Sequence, residues 1–387
     1  MKAIHQLATL QKILGEYQFE QPLHRFLAQY YRQNKQMGGR DRRTASSLTY
    51  NYFRLGGILA KHDLETRIAV AELLCNTETS EFVAYYRPNW QNKLGDSLTQ
   101  KLSVLKSEFA DFQLSDVFPE ASKLSPLVNT TAFYESFFVQ PNLYIRALPH
   151  KAHVVAKKLS ASGIAFEKIG EHAFSMANGT KLEAVLDKGD YEVQDISSQK
   201  VGAFFEPKPY EKWWDCCAAS GGKSLLLHSQ EPSVKLLVSD NRESILHNLR
   251  ERFFYAGIEG YQQKALDLTQ NQDLLLSNYE FDGIILDAPC SGSGTWGRTP
   301  EMLSAFPPEK VDFYSNLQRK IASNVVSYLK PGKPLIYITC SVFEAENEAQ
   351  VKWLCGTFQL KTERMELISG YKDKADTLFV ARLVKQG

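Results

Sequence analysis

The chain is expected to fold into more than one domain, with a parallel α/β sheet in its C-terminal half. Three observations point there. Its 387 residues exceed what a single core commonly holds. From residue 193 onward, short apolar runs alternate with stretches of helical periodicity, the pattern of a sheet covered on both faces. The first 140 residues instead carry helical periodicity throughout.

Taken in order, residues 1–140 read as all-α. Apolar side chains recur at helical spacing in Ile4, Leu7, Leu10 and Leu14, and again in Leu23, Phe26, Leu27 and Tyr30. The stretch 32–43 carries Arg32, Lys35, Arg40, Arg42 and Arg43 against Asp41 alone. An isolated charge run of this kind is commonly a solvated helix end. Gly38-Gly39 breaks the helix, however, and the arginines are expected on a loop that meets phosphates. Residues 141–192 read as a small α+β, RRM-like module. It has a strand at Leu143–Arg146, a helix from His150 to Leu159, and strand candidates at Ala165–Lys168 and Leu182–Leu186. It lacks the aromatic signature of base-stacking RNA modules.

From 193 to 387 the expected strands are Lys212–Asp215, Val234–Asp240, Gln262–Asp267, Phe281–Asp287 and Leu335–Cys340. Leu317, Ile321, Val325 and Leu329 mark a helix ended by Pro331-Gly332, and Met365–Leu383 reads as a closing antiparallel pair. Ligands of such sheets bind beyond the carboxyl ends of the strands. Asp215, Asp240, Asp267, Asp287 and Cys340 all fall at those ends, which packing alone does not explain.

Composition narrows the partners. Hydrophobic residues make up 43% and charged residues 23%, ordinary values for a globular protein. Lys plus Arg number 45 against 44 for Asp plus Glu, so nucleic-acid binding has to rest on local patches. No run approaches the ~18 apolar residues of a membrane span, and the start lacks a secretory signal. The six cysteines, at 75, 216, 217, 290, 340 and 355, follow neither a disulfide nor a zinc spacing. A reducing, cytoplasmic location, no bound metal and a monomer are expected.

Residues 215–224, Asp-Cys-Cys-Ala-Ala-Ser-Gly-Gly-Lys-Ser, form a strand-to-helix turn. A P-loop needs Gly four residues before Gly-Lys-Ser, where Cys217 stands, which disfavours a nucleotide triphosphatase. The bland alternative is a tight turn with no ligand. The small residues Ala218, Ala219, Gly221 and Gly222 instead suit a backbone that a ligand approaches closely. Asp240 is placed to accept two ribose hydroxyls and Asp267 to meet an adenine amine. S-adenosylmethionine combines ribose, adenine and a cation, and Ala218, Ala219, Gly221, Gly222, Asp240 and Asp267 are its candidate contacts.

Two thiols complete the pattern. Cys290 lies in Asp287-Ala288-Pro289-Cys290-Ser291-Gly292, and Cys340 in Thr339-Cys340-Ser341. Free cysteine is often a buried small hydrophobe, and that reading holds for Cys75, Cys216, Cys217 and Cys355. It fails for Cys290 and Cys340, which stand at the ligand rim. Carbon 5 of cytosine is too weak a nucleophile to attack a methyl donor directly. A thiolate adding at carbon 6 turns the ring into an enamine, and an acid near ring nitrogen 3 stabilises the developing charge. Asp287, Cys290 and Cys340, on neighbouring strands about 5 Å apart, can converge on one base.

These residues resemble the RsmB-like (Sun/Nop) family of RNA 5-methylcytosine methyltransferases. The resemblance rests on Val193-Gln194-Asp195-Ile196-Ser197-Ser198-Gln199, on 217–223, on Asp287–Gly294 with Arg298-Thr299-Pro300-Glu301, and on Thr339–Ser341 with Glu346-Asn347-Glu348. It implies a Rossmann-like class I methyltransferase domain. It also implies Cys340 as nucleophile, Cys290 in product release and Asp287 as base contact or acid. The resemblance extends the candidate contacts of S-adenosylmethionine to Cys217, Ser220, Lys223 and Asp287. Arg40-Asp41-Arg42-Arg43, with Leu48-Thr49-Tyr50 and Phe53-Arg54, resembles the NusB-like helical domain of bacterial members. That implies a ribosomal RNA substrate, with Arg40, Arg42, Arg43 and Arg298 meeting RNA. Transfer RNA is the alternative substrate, and a non-catalytic RNA-binding protein the alternative class. Ser220 stands where the family usually has proline, so the turn is expected to be looser or to gain a hydrogen bond. Lys333 replaces a second glycine after Gly332, a surface change.

Overall fold

Alternating strand and helix patterns become an open, doubly wound sheet in a computed structural model that describes residues 2–387. The strands of this sheet are β5 (Lys212–Asp215), β6 (Lys235–Asp240), β7 (Gln262–Ala265), β8 (Gly283–Asp287), β9 (Pro334–Thr339), β10 (Leu360–Ile368) and β11 (Leu378–Lys385). Their spatial order is β10-β11-β9-β8-β5-β6-β7. The β5–β6, β5–β8, β6–β7 and β8–β9 pairs are parallel, whereas β11 runs antiparallel to both β9 and β10. The expected closing pair at 365–383 is therefore present, and β11 also joins it to the parallel sheet.

Burial explains the near-continuous apolar strands. β9 is buried at all six positions, and Trp213 and Trp214 of β5 are fully buried. The indole of Trp213 dictates its cross-strand neighbour: opposite it stands Gly283, where a Cβ would lie 2.5 Å from the ring. Glycine here is a packing requirement rather than a turn. Leu246, Leu249 and Phe253 of the helix Glu243–Tyr255 fill the core against Leu225, Leu227, Leu236 and Val238. Turning the chain from β5 to both β6 and β8 places the reversal of strand order at the end of β5.

The small module belongs to the same compact unit, which comprises residues 123–128, 141–295 and 309–387. Its strands are β1 (Leu143–Ala147), β2 (Glu167–Ile169), β3 (Ala173–Met176) and β4 (Tyr191–Val193), in the order β2-β3-β1-β4 and all antiparallel. Leu182–Leu186 is a turn instead of the expected strand. Both leucines are buried in the module core, and the Leu186 N–H donates to the Leu182 carbonyl at 2.8 Å. Four-residue spacing of buried leucines is a helical-turn signal that a short apolar run conceals.

The second unit comprises residues 2–122, 129–140 and 296–308 and is helical. Helices at Ala3–Glu16, Leu23–Gln33, Gly39–Arg54, Leu64–Cys75 and Leu98–Glu108 provide most of it. Ile13, Tyr17, Leu23, Leu27, Tyr30 and Phe53 share one core. Buried Arg54 donates to the Phe137 carbonyl and to Gln140 Oε1, both at 2.7 Å. The segment 296–308 enters this unit through Glu301, whose Oε1 accepts from the Leu23 N–H at 3.1 Å, and through Trp296, 5.3 Å from the Phe118 ring.

The basic stretch differs from expectation. Gly38-Gly39 does separate two helices, but Arg40, Arg42 and Arg43 lie in the first turns of the helix Gly39–Arg54, not on a loop. Arg40 is exposed and pairs with Glu81 at 3.5 Å, while Arg42 Nε donates to the Met37 carbonyl at 2.9 Å. A glycine can start a helix as well as end one, since its backbone is compatible with an N-cap. Among the described residues, no helix is long and apolar enough to cross a membrane. No group of three His, Cys, Asp or Glu is placed to hold a metal there either.

Candidate active site

Parallel pairing puts the carboxyl ends of β5, β6, β8 and β9 on one rim, and with them Asp215, Asp240, Asp287 and Cys340. A cleft of about 310 Å³ opens there, lined among others by Gln194, Ser198, Ser220, Gly222, Lys223, Arg252, Asp287, Thr295 and Cys340.

One wall is the turn after β5. Gly221 has φ +84°, and a Cβ on it would come within 2.8 Å of Phe253, so both conformation and packing require glycine. Ala219 also has positive φ, +46°, a strained setting for a residue with a Cβ. Its N–H is thereby aimed at Asp240 Oδ2, 3.1 Å away. The other Asp240 oxygen accepts from Arg242 N and Nε, both at 3.0 Å. Arg252 holds the turn from outside. Its Nη1 donates to the carbonyl and the hydroxyl of Ser220 at 2.7 Å each, and its Nε and Nη2 grip Glu192 Oε2 at 2.9 and 2.6 Å. Ser220 thus gains a hydrogen bond at its hydroxyl, which accepts from Arg252, and not through the backbone N–H that proline lacks. Gln194 Nε2 reaches the Gly222 carbonyl at 3.2 Å.

Lys223 bridges the two walls. Its Nζ pairs with Asp287 Oδ2 at 3.1 Å and donates to Ser198 Oγ at 2.9 Å. Beneath it, Asp215 is fully buried and accepts from Ser224 Oγ at 2.6 Å. Burial pushes its carboxyl up to about 7, against the Ser224 hydrogen bond and with help from the Asp287 charge.

The opposite wall carries the thiols. Cys290 Sγ and Cys340 Sγ lie 3.4 Å apart, and both are half-buried. The hydrogen bond with Cys340 and burial, with the negative charge of Glu346 adding, push the Cys290 thiol well above its ordinary value. The two loops touch through backbone as well. The Gly294 N–H donates to the Cys340 carbonyl at 2.8 Å, and its own carbonyl accepts from Thr377 N at 2.9 Å. A Cβ at Gly294 would lie 2.0 Å from the Thr377 carbonyl oxygen, which explains the glycine.

Of the residues expected at this site, the structure brings Ser220, Gly222, Lys223, Asp287 and Cys340 to the cleft, with Cys290 against Cys340. Cys217 is half-buried, and Ala218 and Gly221 are buried within the turn. Asp267 is exposed two residues beyond β7, its Oδ1 accepting from the N–H and hydroxyl of Thr269 at 3.0 and 2.7 Å. Arg298 is half-buried in the 296–308 segment of the helical unit. Arg252 was not singled out from sequence, and Ser198 and Glu346 entered only as parts of motifs, with no role assigned to either. Arg252 has no local signal, since its partners Glu192 and Ser220 are 60 and 32 residues away.

The strand order, the antiparallel β11 and the small-residue turn after β5 define a doubly wound domain of the methyltransferase class, here with two thiols on its rim. Residues 203–382 match the model of the 16S rRNA methyltransferase RsmB/F family. The chain is 30% identical over 206 residues to ribosomal RNA small subunit methyltransferase B of Xylella fastidiosa, covering 52% of this chain and 47% of that protein. It is 33% identical over 177 residues to mouse (Mus musculus) tRNA (cytosine(72)-C(5))-methyltransferase NSUN6, covering 43% and 37% respectively. The chain thus spans about half or less of the length of these curated relatives. In fold, it is similar to the crystal structure of PH0851, with a TM-score of 0.73 at 20% identity, covering 100% of this chain and 99% of that one.

Proposed function

We propose that this protein is an S-adenosylmethionine-dependent RNA cytosine-5 methyltransferase that forms a covalent adduct through Cys340. The observation that carries this reading is the pair of thiols 3.4 Å apart, beside the Asp287–Lys223 pair at the ends of adjacent parallel strands. Neither a single reactive thiol nor a packed core requires that arrangement.

The residues around the turn suit the methyl donor. Gly221 and Gly222 let a ligand approach the backbone, and the Asp240 carboxylate lies where ribose hydroxyls are held in such sheets. Both Asp240 oxygens already accept hydrogen bonds, and the Arg242 guanidinium, 59% exposed, is the partner that would yield to a ribose. Asp267 keeps its proposed contact with adenine. S-adenosylmethionine supplies an electrophilic methyl group on a sulfonium when bound.

Cys340 Sγ adds to carbon 6 of the cytosine, and the electron density moves into the ring. Asp287, held in place by Lys223, acts as the acid that donates a hydrogen bond to nitrogen 3 and so stabilises that density. Carbon 5 becomes nucleophilic and takes the methyl group. Loss of the carbon 5 proton to a base then breaks the carbon–sulfur bond, with Cys290 assisting the departure of Cys340. The target base has to be unstacked to reach the cleft.

Ribosomal RNA is the proposed substrate, supported by the family model that matches residues 203–382 and by the sequence resemblance of Arg40-Asp41-Arg42-Arg43, Leu48-Thr49-Tyr50 and Phe53-Arg54 to NusB-like domains. Arg40, Arg42, Arg43 and Arg298 are its proposed phosphate contacts. Transfer RNA is the second reading, favoured by the 33% identity to a tRNA methyltransferase. The protein is proposed to act as a cytoplasmic monomer.

The test is to incubate Cys290→Ala and Cys340→Ala with cellular RNA and methyl-labelled donor, then run denaturing gels. Cys290→Ala is expected to trap a protein–RNA adduct whose RNA identifies the substrate class. Cys340→Ala is expected to give no adduct and to lose methyl transfer by at least about 1,000-fold. An adduct with Cys340→Ala instead exchanges the two roles. Tight RNA binding with no transfer by the wild type returns the binding-protein reading.

A further inference from the structure

Glu346 is a fully buried carboxylate that the mechanism above does not use. It stands on a single helical turn, Glu344–Glu346, just beyond Cys340. Burying a carboxylate is costly unless it is saturated with donors, and this one is surrounded by them. Oε1 accepts from Ser291 N at 2.8 Å and faces Gln318 Nε2 at 3.5 Å. Oε2 accepts from Ser291 Oγ at 2.5 Å and from Ser341 Oγ. Ser291 directly follows Cys290, and Ser341 directly follows Cys340. One carboxylate therefore grips both thiol-bearing loops at the residue next to each sulfur.

The surrounding bonds point the same way. Gln318 Nε2 also donates to the Pro289 carbonyl at 3.0 Å, on the other side of Cys290. Asn347 accepts from Thr339 Oγ1 at 2.6 Å and donates to the Ser341 carbonyl at 2.9 Å, bracketing Cys340. Tyr337 Oη donates to the Glu346 carbonyl at 2.7 Å, anchoring the turn to β9. Burial raises the Glu346 carboxyl, while its hydroxyl and N–H donors pull it down. A packing role needs no charge at this position. A clamp that draws four donors to one point does.

We propose that Glu346 is a positioning residue that sets the separation of the Cys290 and Cys340 sulfurs, and so allots the two thiols their different roles. This rests on the methyltransferase reading for its consequence in catalysis, but the separation itself is measurable without RNA or methyl donor.

The experiment uses the full chain and diamide, which accepts two electrons and two protons as Cys290 and Cys340 join in a disulfide. Disulfide formation needs close, correctly oriented sulfurs. The wild type is expected to cross-link rapidly at this pair, read by mass spectrometry. Glu346→Ala is expected to slow the cross-link about tenfold. It is also expected to lower kcat about 100-fold, as a displacement of about 1 Å does, with the KM for methyl donor unchanged. Glu346→Gln, which keeps shape and one acceptor, is expected to recover part of both. Ser341→Ala removes one donor and provides a milder variant should Glu346→Ala not fold. Unchanged cross-linking in folded Glu346→Ala or Ser341→Ala overturns the proposal. Slowed cross-linking in a protein whose wild type transfers no methyl group sustains the clamp and overturns the methyltransferase reading instead.

Discussion

The two walls of the cleft are built on opposite principles. The wall after β5 is a thin turn of small residues, one of them strained at Ala219, and its side-chain anchors reach it from outside: Arg252 on Ser220, Gln194 on Gly222, and Asp240 on the Ala219 N–H. The wall after β8 and β9 is cross-tied from within by Glu346, three serines, Asn347 and the Gly294 backbone. A surface that receives a ligand has to leave its backbone open, so it is held sparingly and from behind. On the proposed mechanism two sulfurs act in sequence on one base and tolerate little displacement, which fits loops that are over-determined. Changes to the thiol wall should therefore cost turnover, and changes to the turn should cost ligand affinity.

The sharpest test of that contrast is Gly294→Ala. A methyl group 2.0 Å from the Thr377 oxygen has to push the Cys290 loop away from Cys340. Methyl transfer is expected to fall by about 100-fold or more, with donor affinity nearly intact. A mainly KM effect would break the comparison.

Asp215 tests what lies under the turn. Its carboxyl is raised from 3.8 to about 7 in the folded protein, so the folded state holds the proton more tightly than the unfolded chain. Its destabilising contribution is therefore absent below about pH 4, grows between the two values, and is complete above about pH 7, where it reaches roughly 4 kcal/mol at most. Asp215→Asn is expected to raise the melting temperature at pH 8 and to change it little at pH 4. Equal effects at both pH values would show that Asp215 is not taking up a proton on folding.

Arg252→Gln removes the bracket on Ser220. The KM for S-adenosylmethionine is expected to rise about five- to tenfold, consistent with one or two charge-assisted hydrogen bonds lost, with little change in kcat. Adding Ser220→Pro, which stiffens the turn by itself, is expected to recover part of the loss. The smallest effect belongs to Arg242→Ala. Its guanidinium is the displaceable partner of Asp240, so donor affinity is expected to stay within about twofold, as for most exposed ion pairs. A large loss would mean that Arg242, not the ribose, is the working partner of Asp240.

Much of this site was legible in the linear chain because its signals are local. Strand-end residues are set by hydrophobic run length, so Asp215, Asp240, Asp287 and Cys340 could be placed on one rim once the sheet was read as parallel. Turn chemistry is local too, and Gly221 adopts the positive φ that its residue type allows. Short elements were less legible. Leu182–Leu186 offered too few residues to separate a strand from a turn, and the three-residue β2 and β4 carry almost no period of their own. The basic stretch was ambiguous because glycine punctuates a helix at either end.

The sequence by itself determined the parallel sheet, the turn after β5 and the two rim thiols, because periodicity, small residues and strand ends are properties of neighbours along the chain. Only the tertiary structure decided which distant groups meet. Glu346 reaches Ser291 across 55 residues, Arg252 reaches Glu192 across 60, and Lys223 meets Asp287 across a strand crossover. Residues 296–308, which follow the Cys290 loop directly, were likewise assigned to the helical unit by contacts with Leu23 and Phe118. A buried charge reads in sequence like any surface charge. Its partner, and hence its role, exists only once folding has brought the donors to it and excluded water.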